Sequence, residues 1–150
     1  MKRRKNLERA IVLGLLLSTS VYGSAWAESI GPIDNNNSNE YTDVIKDTSV
    51  EIVDGNSGNI VLDNSEQHTV SITTCEEGSN ISLKGNGTAI WVADDIAAGT
   101  TVTLNARGDI IIDAKNGIQA NAKDREENNK SKISLTSKQN KITASDVGIY

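Results

Sequence analysis

The sequence predicts an all-β fold, a right-handed single-stranded parallel β-helix with three short strands and about 30 residues in each coil. Two observations predict it. Three kinds of short strand recur in the same order, and equivalent strands lie roughly thirty residues apart. The chain also has no Phe and is only 3% aromatic. It therefore has to bury surface by stacking many small and β-branched side chains.

The chain begins with the pattern of a helical secretory signal peptide. Residues 1–9 carry five basic residues and one acidic residue, and residues 10–21 are mostly apolar. Ala25-Trp26-Ala27 then supplies a small-residue cleavage pattern, and the apolar stretch is too short to cross a bilayer comfortably. We therefore predict export through the inner membrane with residues 1–27 removed. An uncleaved membrane anchor is the alternative.

The remaining chain divides into a leader and the coils. Residues 28–48 are predicted to be a polar leader or partial cap, because they are rich in Asn and have few apolar anchors. The coils occupy residues 49–150, and the first is expected to be incomplete. KDREENNK at 123–130 is interpreted as a solvated loop between coils. Because the last strand, at 147–150, has no polar cap after it, we expect a fragment truncated at its C-terminus.

The three kinds of strand predict three inward stacks of aliphatic side chains. Equivalent strands of successive coils would stack in parallel about 4.8 Å apart, with alternate residues pointing into a common interior. Polar alternates such as Ser71 and Thr103 would face solvent. The predicted stacks are Val70, Val102 and Ile133 for the first kind of strand, Ile81, Ile110 and Ile142 for the second, and Ile90, Ile118 and Ile149 for the third.

Asn116-Gly117 has two interpretations. Locally, Asn-Gly between two β-like runs is a strong signal for a two-residue hairpin turn. Ile118, however, has counterparts in Ile90 and Ile149. We therefore interpret the pair as a corner of a coil, with Gly117 supplying an unusual backbone angle.

Charge and cysteine content exclude some partners. Removing residues 1–27 takes away five of the 15 basic residues and one of the 20 acidic ones, which leaves a net charge near −9. Such a chain is repelled by phosphate backbones and anionic membrane surfaces, so we do not expect nucleic-acid binding. No stretch after Val21 is apolar enough to span a membrane, so we expect no membrane insertion of the mature part. Cys75 is the only cysteine. We expect it to be a small buried residue in a strand, with intermolecular pairing as the alternative.

The sequence resembles the passenger region of bacterial type V autotransporters. The resemblance lies in the signal peptide, the low aromatic content, the coils rich in Asn, Gly, Thr and Ser, and the corners in which Gly comes shortly before or next to Ile, as in GTAIWV, NGIQA and VGIY. It implies an exported, non-enzymatic stalk or adhesin at the cell surface or outside the cell, whose partner is a host or neighbouring cell. It also implies further coils and a downstream β-barrel translocator in a full-length version.

A truncated carbohydrate-active β-helix enzyme is the main alternative, similar to pectate lyases or polygalacturonases. Asp94-Asp95 is the nearest approach to a carboxylate pair, but adjacent acids of this kind are typical of a solvated turn. His68 and Cys75 are the only residues for a Cys/His dyad, and they would face opposite sides of an unbroken strand. No cofactor is predicted, and the ligand spacings of zinc and calcium sites are missing from the sequence.

Arg107-Gly108-Asp109 is the one tripeptide that carries a functional association. Exposed Arg-Gly-Asp loops are recognised by integrins, so these three residues are the predicted adhesion site. Asp109 also opens a strand and Gly108 makes a corner, which favours a structural role for the same residues. The two interpretations differ in how far the turn protrudes from the coil.

Overall fold

The computed structural model describes residues 26–64, 66–93, 99–120 and 131–149. In the described residues the chain is built of short strands and a single-turn 3-10 helix, η1. The elements are β1 Glu28–Ile30, β2 Ile33–Asp34, η1 Ser38–Tyr41, β3 Val44–Lys46, β4 Val50–Ile52, β5 Gly58–Leu62, β6 Thr69–Thr74, β7 Ile81–Lys84, β8 Thr88–Val92, β9 Thr101–Asn105, β10 Ile110–Ala120, β11 Lys132–Thr136 and β12 Asn140–Ile149.

All strand pairs given by the structure are parallel, and the strands lie on three faces of a β-solenoid. Face one contains β3, β6, β9 and β11. Face two contains β1, β4, β7 and the first halves of β10 and β12, whereas face three contains β2, β5, β8 and their second halves. The predicted parallel β-helix, with its spacing of roughly thirty residues, is therefore confirmed.

The core consists of columns of aliphatic side chains that run along the solenoid. Each side chain stands on its counterpart in the next coil, about 4.8 Å away. Members in the middle of the stack, such as Ile72, Leu83 and Ile90, are completely buried. Column one is Val44, Ile72, Leu104 and Leu135; column two is Ile30, Ile52, Leu83, Ile112 and Ile142; column three is Ile33, Ile60, Ile90, Ile118 and Ile149.

The predicted inward stacks are confirmed except at one position. Val70 pairs with Val102 and Val102 with Ile133, and Ile118 pairs with both Ile90 and Ile149, as predicted. Ile110 pairs with Ile81 as well.

Ile142 was predicted to stand on Ile110, and this register is wrong. Ile142 pairs with Ile112, whereas Asn140 pairs with Ile110. Because side chains alternate with a period of two, a slip of two residues keeps Ile142 on the inward side. The alternation alone could not separate these two registers.

Asn116-Gly117 lies inside a continuous strand. β10 passes through it from face two to face three, with a shift of register between Ala114 and Asn116, and its neighbours are all parallel. The hairpin interpretation is therefore excluded. The unusual backbone angle expected at Gly117 is also wrong. In the described residues, the glycines with a positive φ are Gly58, Gly78 and Gly99. Gly117 is instead a point of close approach, where an added Cβ would meet the Gly148 backbone and Ile142.

Residues 28–48, expected as a polar leader or partial cap, contain β1, β2, η1 and β3. The three strands pair in register with β4, β5 and β6 and so form the first coil. Asn side chains, which suggested loose order in the sequence, supply hydrogen bonds here. Asn37 Oδ1 accepts from the Asp34 N–H at 2.8 Å, and Asn37 Nδ2 donates to Pro32 O at 2.9 Å.

Several predictions lie outside the described residues. They are the signal peptide up to residue 25, the acidic pair Asp94-Asp95 and the charged loop at 123–130. Trp26 and Ala27, which precede the predicted cleavage point, are described and exposed. The right hand of the coil and the cleavage itself stay predictions.

Candidate functional site

The Arg-Gly-Asp tripeptide lies at the corner between faces one and two, where β9 ends and β10 begins. Its backbone is hydrogen-bonded to both neighbouring coils. The Gly108 N–H donates to Ser79 O at 2.7 Å, and Gly108 O accepts from the Lys138 N–H at 2.9 Å. The Asp109 N–H donates to Asn80 Oδ1 at 2.7 Å. The tripeptide is therefore part of the coil and cannot protrude without breaking these bonds.

The side chains of the tripeptide differ in their exposure. Arg107 is exposed, whereas only 29% of the Asp109 side chain is exposed and its Oδ2 lies 3.5 Å from Lys141 Nζ. Gly108 is buried, and a Cβ there would lie 2.6 Å from Gly78 O. The carboxylate that an integrin-type receptor would contact is thus half-buried and already beside a cation. This geometry favours the structural role of the corner.

Polar side chains form a ladder inside the same corner. Asn80 donates its backbone N–H to Ser49 Oγ at 2.9 Å and accepts from Asp109 through Oδ1.

On the outside of this corner, Lys138 donates to Glu77, and this interaction lowers the pKa of the Glu77 carboxyl. The exposed pair therefore contributes a small stabilisation at neutral pH that is lost as the pH falls through the lowered pKa.

His68 forms the one cluster in the described residues that resembles catalytic machinery. It is 5% exposed and lies between faces three and one. Its Nδ1 is 2.7 Å from Ser38 Oγ, and its Nε2 is 2.7 Å from Asn64 Oδ1. Because an amide oxygen only accepts, Nε2 carries a proton, and in the neutral imidazole Nδ1 then accepts from the Ser38 hydroxyl. A hydroxyl, a base and an orienting amide are the parts that nucleophilic catalysis requires.

The burial of this cluster favours a different role. Ser38 and His68 border a cleft of about 500 Å³ together with Thr42 and Gln67. Ser38 is only 3% exposed, however, so its hydroxyl scarcely reaches solvent. The Ser38–His68 hydrogen bond joins η1 in the first coil to the loop after β5, and the His68–Asn64 hydrogen bond lies within that loop. We interpret the cluster as a clamp that satisfies a buried imidazole.

Sequence reasoning missed this clamp because Ser38 lies 30 residues before His68, and Asn64, four residues before His68, forms no recognisable motif with it. The Cys/His pair that the sequence offered is not brought together, since His68 is buried and Cys75 is exposed at another corner. The expectation of a buried Cys75 is wrong. Thr74 takes the last inward position of β6, which places Cys75 in the turn that follows.

Polar side chains, of which Asn59 is buried, also line the corner between faces two and three. Asp54 Oδ2 accepts from the backbone N–H groups of Asn86 and Gly87, at 2.8 and 3.3 Å. Asn59 Nδ2 donates to Ile52 O at 2.8 Å and to Lys84 O at 3.1 Å. These contacts hold successive corners in register.

Within the part of the chain that the structure describes, no three His, Cys, Asp or Glu side chains are placed to hold a metal ion.

Comparison of the chain with protein-family models, with curated proteins and with solved structures gives no match. Among residues 26–64, 66–93, 99–120 and 131–149, no helix has the length and apolar character needed to span a membrane. The geometry of the solenoid and its corners is therefore what bears on function.

Proposed function

We propose that this chain is part of an exported, non-enzymatic surface protein in which the β-solenoid acts as a rigid stalk, as in autotransporter-like passengers. The observation that carries the proposal is the register of the three aliphatic columns. Column two keeps a branched aliphatic residue in every coil from Ile30 to Ile142. A stack of this kind gives an elongated body whose backbone hydrogen bonds run along its axis.

The corners support a stalk better than an Arg-Gly-Asp adhesin. A receptor-binding loop has to present its side chains beyond the scaffold. Here the tripeptide is bonded on both sides, and Asp109 lies beside Lys141. The outward positions of β6 and β9 are hydroxyl side chains or Asn, which keep the rod hydrated along face one. Adhesion through Asp109 is therefore the less favoured form of the proposal.

The experiment expresses the chain in a bacterial host, with a C-terminal epitope tag followed by a β-barrel translocator. Antibody labelling of intact cells is expected, and mass spectrometry of the product is expected to show Glu28 as its first residue. Cell attachment is then compared between the parent, Asp109→Glu and the matched variant Asp113→Glu, whose carboxylate is exposed elsewhere on β10. Equal attachment of all three is expected for a stalk. A selective loss in Asp109→Glu would support the adhesin form and contradict the stalk.

A parallel assay separates the stalk from the enzyme. The purified chain is incubated with pectin and polygalacturonate, and reducing ends and unsaturated products are measured. We expect none above a boiled control. Turnover that disappears in His68→Gln, with the fold retained by circular dichroism, would overturn the non-enzymatic proposal and give the His68 cluster a catalytic role. Retention of the exported chain inside the cell would overturn the surface location.

A further inference from the structure

A polar groove lies on the outer side of the first two coils. Its first part is a cleft of about 350 Å³ between the end of β2 and the corner at residues 55–58. Its second part is the cleft of about 500 Å³ that η1 and residues 66–69 border. Asn35 and Asn36 line both clefts, so the two parts meet there. Each volume lies within the range of roughly 300–1,000 Å³ that is typical of ligand pockets.

The groove exists because the first coil has a shorter strand than the second on face three. β2 consists of Ile33 and Asp34, which pair with Ile60 and Val61 of β5. β5 has five residues and therefore extends beyond β2 at both ends. After β2 the chain turns into η1 instead of continuing beside β5. The first coil thus leaves space beside both ends of β2, and the two clefts occupy it.

Hydrogen bonds hold the turn between the two clefts in place. Asn35 Nδ2 donates to Asp63 Oδ1 at 2.6 Å, and the Asp63 N–H donates to Asn35 Oδ1 at 3.1 Å. The Asn36 N–H donates to Asp34 Oδ1 at 2.8 Å. Among the described residues, no hydrogen bond is made to the second oxygen, Oδ2, of either carboxylate. Each carboxylate therefore keeps one oxygen as an acceptor for a ligand hydroxyl, on a backbone that is already ordered.

The side chains along the groove are mostly amides, carboxylates and hydroxyls. Among the described lining residues, Asp34, Asp63 and Glu66 are acidic and none is Lys or Arg. The three carboxylates therefore disfavour an anionic ligand. Amides donate and accept hydrogen bonds and carboxylates accept through two oxygens, which suits the neighbouring hydroxyl groups of a sugar ring. Pro32 and Val61 add apolar surface for the C–H groups of such a ring.

We propose that this groove binds a neutral oligosaccharide, which gives the first two coils a glycan-binding site. Oδ2 of Asp34 and Oδ2 of Asp63 accept hydrogen bonds from sugar hydroxyls, and the exposed Asn36 amide contacts the next ring where the two clefts meet. No bond of the glycan is broken, so it is released unchanged. The site is separate from the Arg-Gly-Asp corner and does not depend on where the chain is located in or outside the cell.

The experiment uses the chain without its predicted signal peptide, residues 1–27, on an array of neutral and acidic glycans. Affinity for the neutral glycan that binds best, and for hexagalacturonate as the acidic comparison, is measured by isothermal titration calorimetry. Amide chemical shifts locate the contact. We expect a neutral glycan to bind with shifts at residues 34–36 and 66–69, and hexagalacturonate not to bind. The proposal is overturned if no neutral glycan binds, if hexagalacturonate binds as well as the neutral glycan, or if the shifts lie on another face.

Two matched pairs of variants give the sharper test. Asn36→Ala should weaken glycan binding by roughly three- to tenfold, because it removes a hydrogen-bonding amide from the groove. Asn86→Ala is its control, since Asn86 is also exposed and its N–H also donates to an aspartate, Asp54, at 2.8 Å.

The second pair removes a carboxylate without changing its shape. Asp63→Asn should weaken binding by a similar factor, whereas Asp113→Asn, at an exposed position outside the groove, should bind as the parent does. Circular dichroism of each variant separates lost binding from lost folding. If Asp63→Asn does not fold, the Asn36 pair still decides, because the Asn36 side chain is exposed and its backbone N–H is kept. Equal affinities of Asn36→Ala and Asn86→Ala would overturn the proposal.

Discussion

Gly117 shows how a single backbone position can depend on the neighbouring coil. A Cβ added there would lie 2.9 Å from Ile142 Cγ2 and would meet the carbonyl of Gly148. We expect Gly117→Ala to lower the free energy of unfolding by about 1–3 kcal/mol, since overpacking moves both β10 and β12. Gly148→Ala is the matched control, because nothing lies within 4 Å of its added Cβ. Urea unfolding of both variants makes the comparison, and equal stabilities would contradict the close approach.

Residues that act through contacts between coils were the least predictable from sequence. Asp109 was singled out because its tripeptide is familiar, but the lysine beside its half-buried carboxylate, Lys141, comes from β12 in the next coil. The His68 clamp needs Ser38 from the previous coil, at a separation of 30 residues. Cys75 was misplaced because alternation predicts sides of a strand, not the residue at which the strand ends. Contacts between residues of different coils depend on how the coils stack, which no local sequence pattern describes.

At the scale of the strand, alternation carried most of the prediction. Apolar residues at every second position identified β6, β7, β9 and β11 as half-buried strands, and the roughly thirty-residue spacing identified their stacking order. The spacing alone could not fix the register of β12, because the two candidate registers both keep Ile142 inward. The hydrogen bonds of polar side chains at the corners fix the register locally, and the repeat spacing of the sequence does not reveal them. In the first coil, such contacts are frequent and the apolar alternation is weak, so the sequence did not predict strands β1, β2 and β3.

The middle of column three should be the most sensitive part of the core. Ile90 is completely buried between Ile60 and Ile118. We expect Ile90→Ala to cost about 2–5 kcal/mol, because the neighbouring coils can collapse only partly into the space. Ile45→Ala, at a position that is 67% exposed, should stay within about 0.5 kcal/mol of the parent. Urea unfolding followed by circular dichroism gives both values.

If Ile90→Ala leaves too little folded protein to measure, Ile90→Val removes one methylene and should cost about 0.5–1.5 kcal/mol. A stability unchanged by either substitution would mean that column three does not hold the coils together. The same result would weaken the stalk proposal, since the register of the columns carries it.

At the scale of the whole molecule, the solenoid is a stack in which each coil contacts only its neighbours. Its stability is therefore close to a sum of coil and interface contributions, and in the described residues the coils at the ends have one interface instead of two. β7 and β8 pair with strands on both sides, whereas β12 pairs only with β10 in the described residues. Local opening should consequently begin at the ends and require most free energy in the middle.

Native-state hydrogen exchange tests this gradient. Backbone amides of β12 should exchange fastest, and those of β7 and β8 should be the most protected, with β10 between them. The cause is the number of coil interfaces that must open, because the strands are otherwise similar in composition and hydrogen bonding. Uniform protection along the chain would contradict fraying from the ends and would mean that the stack opens as one cooperative unit.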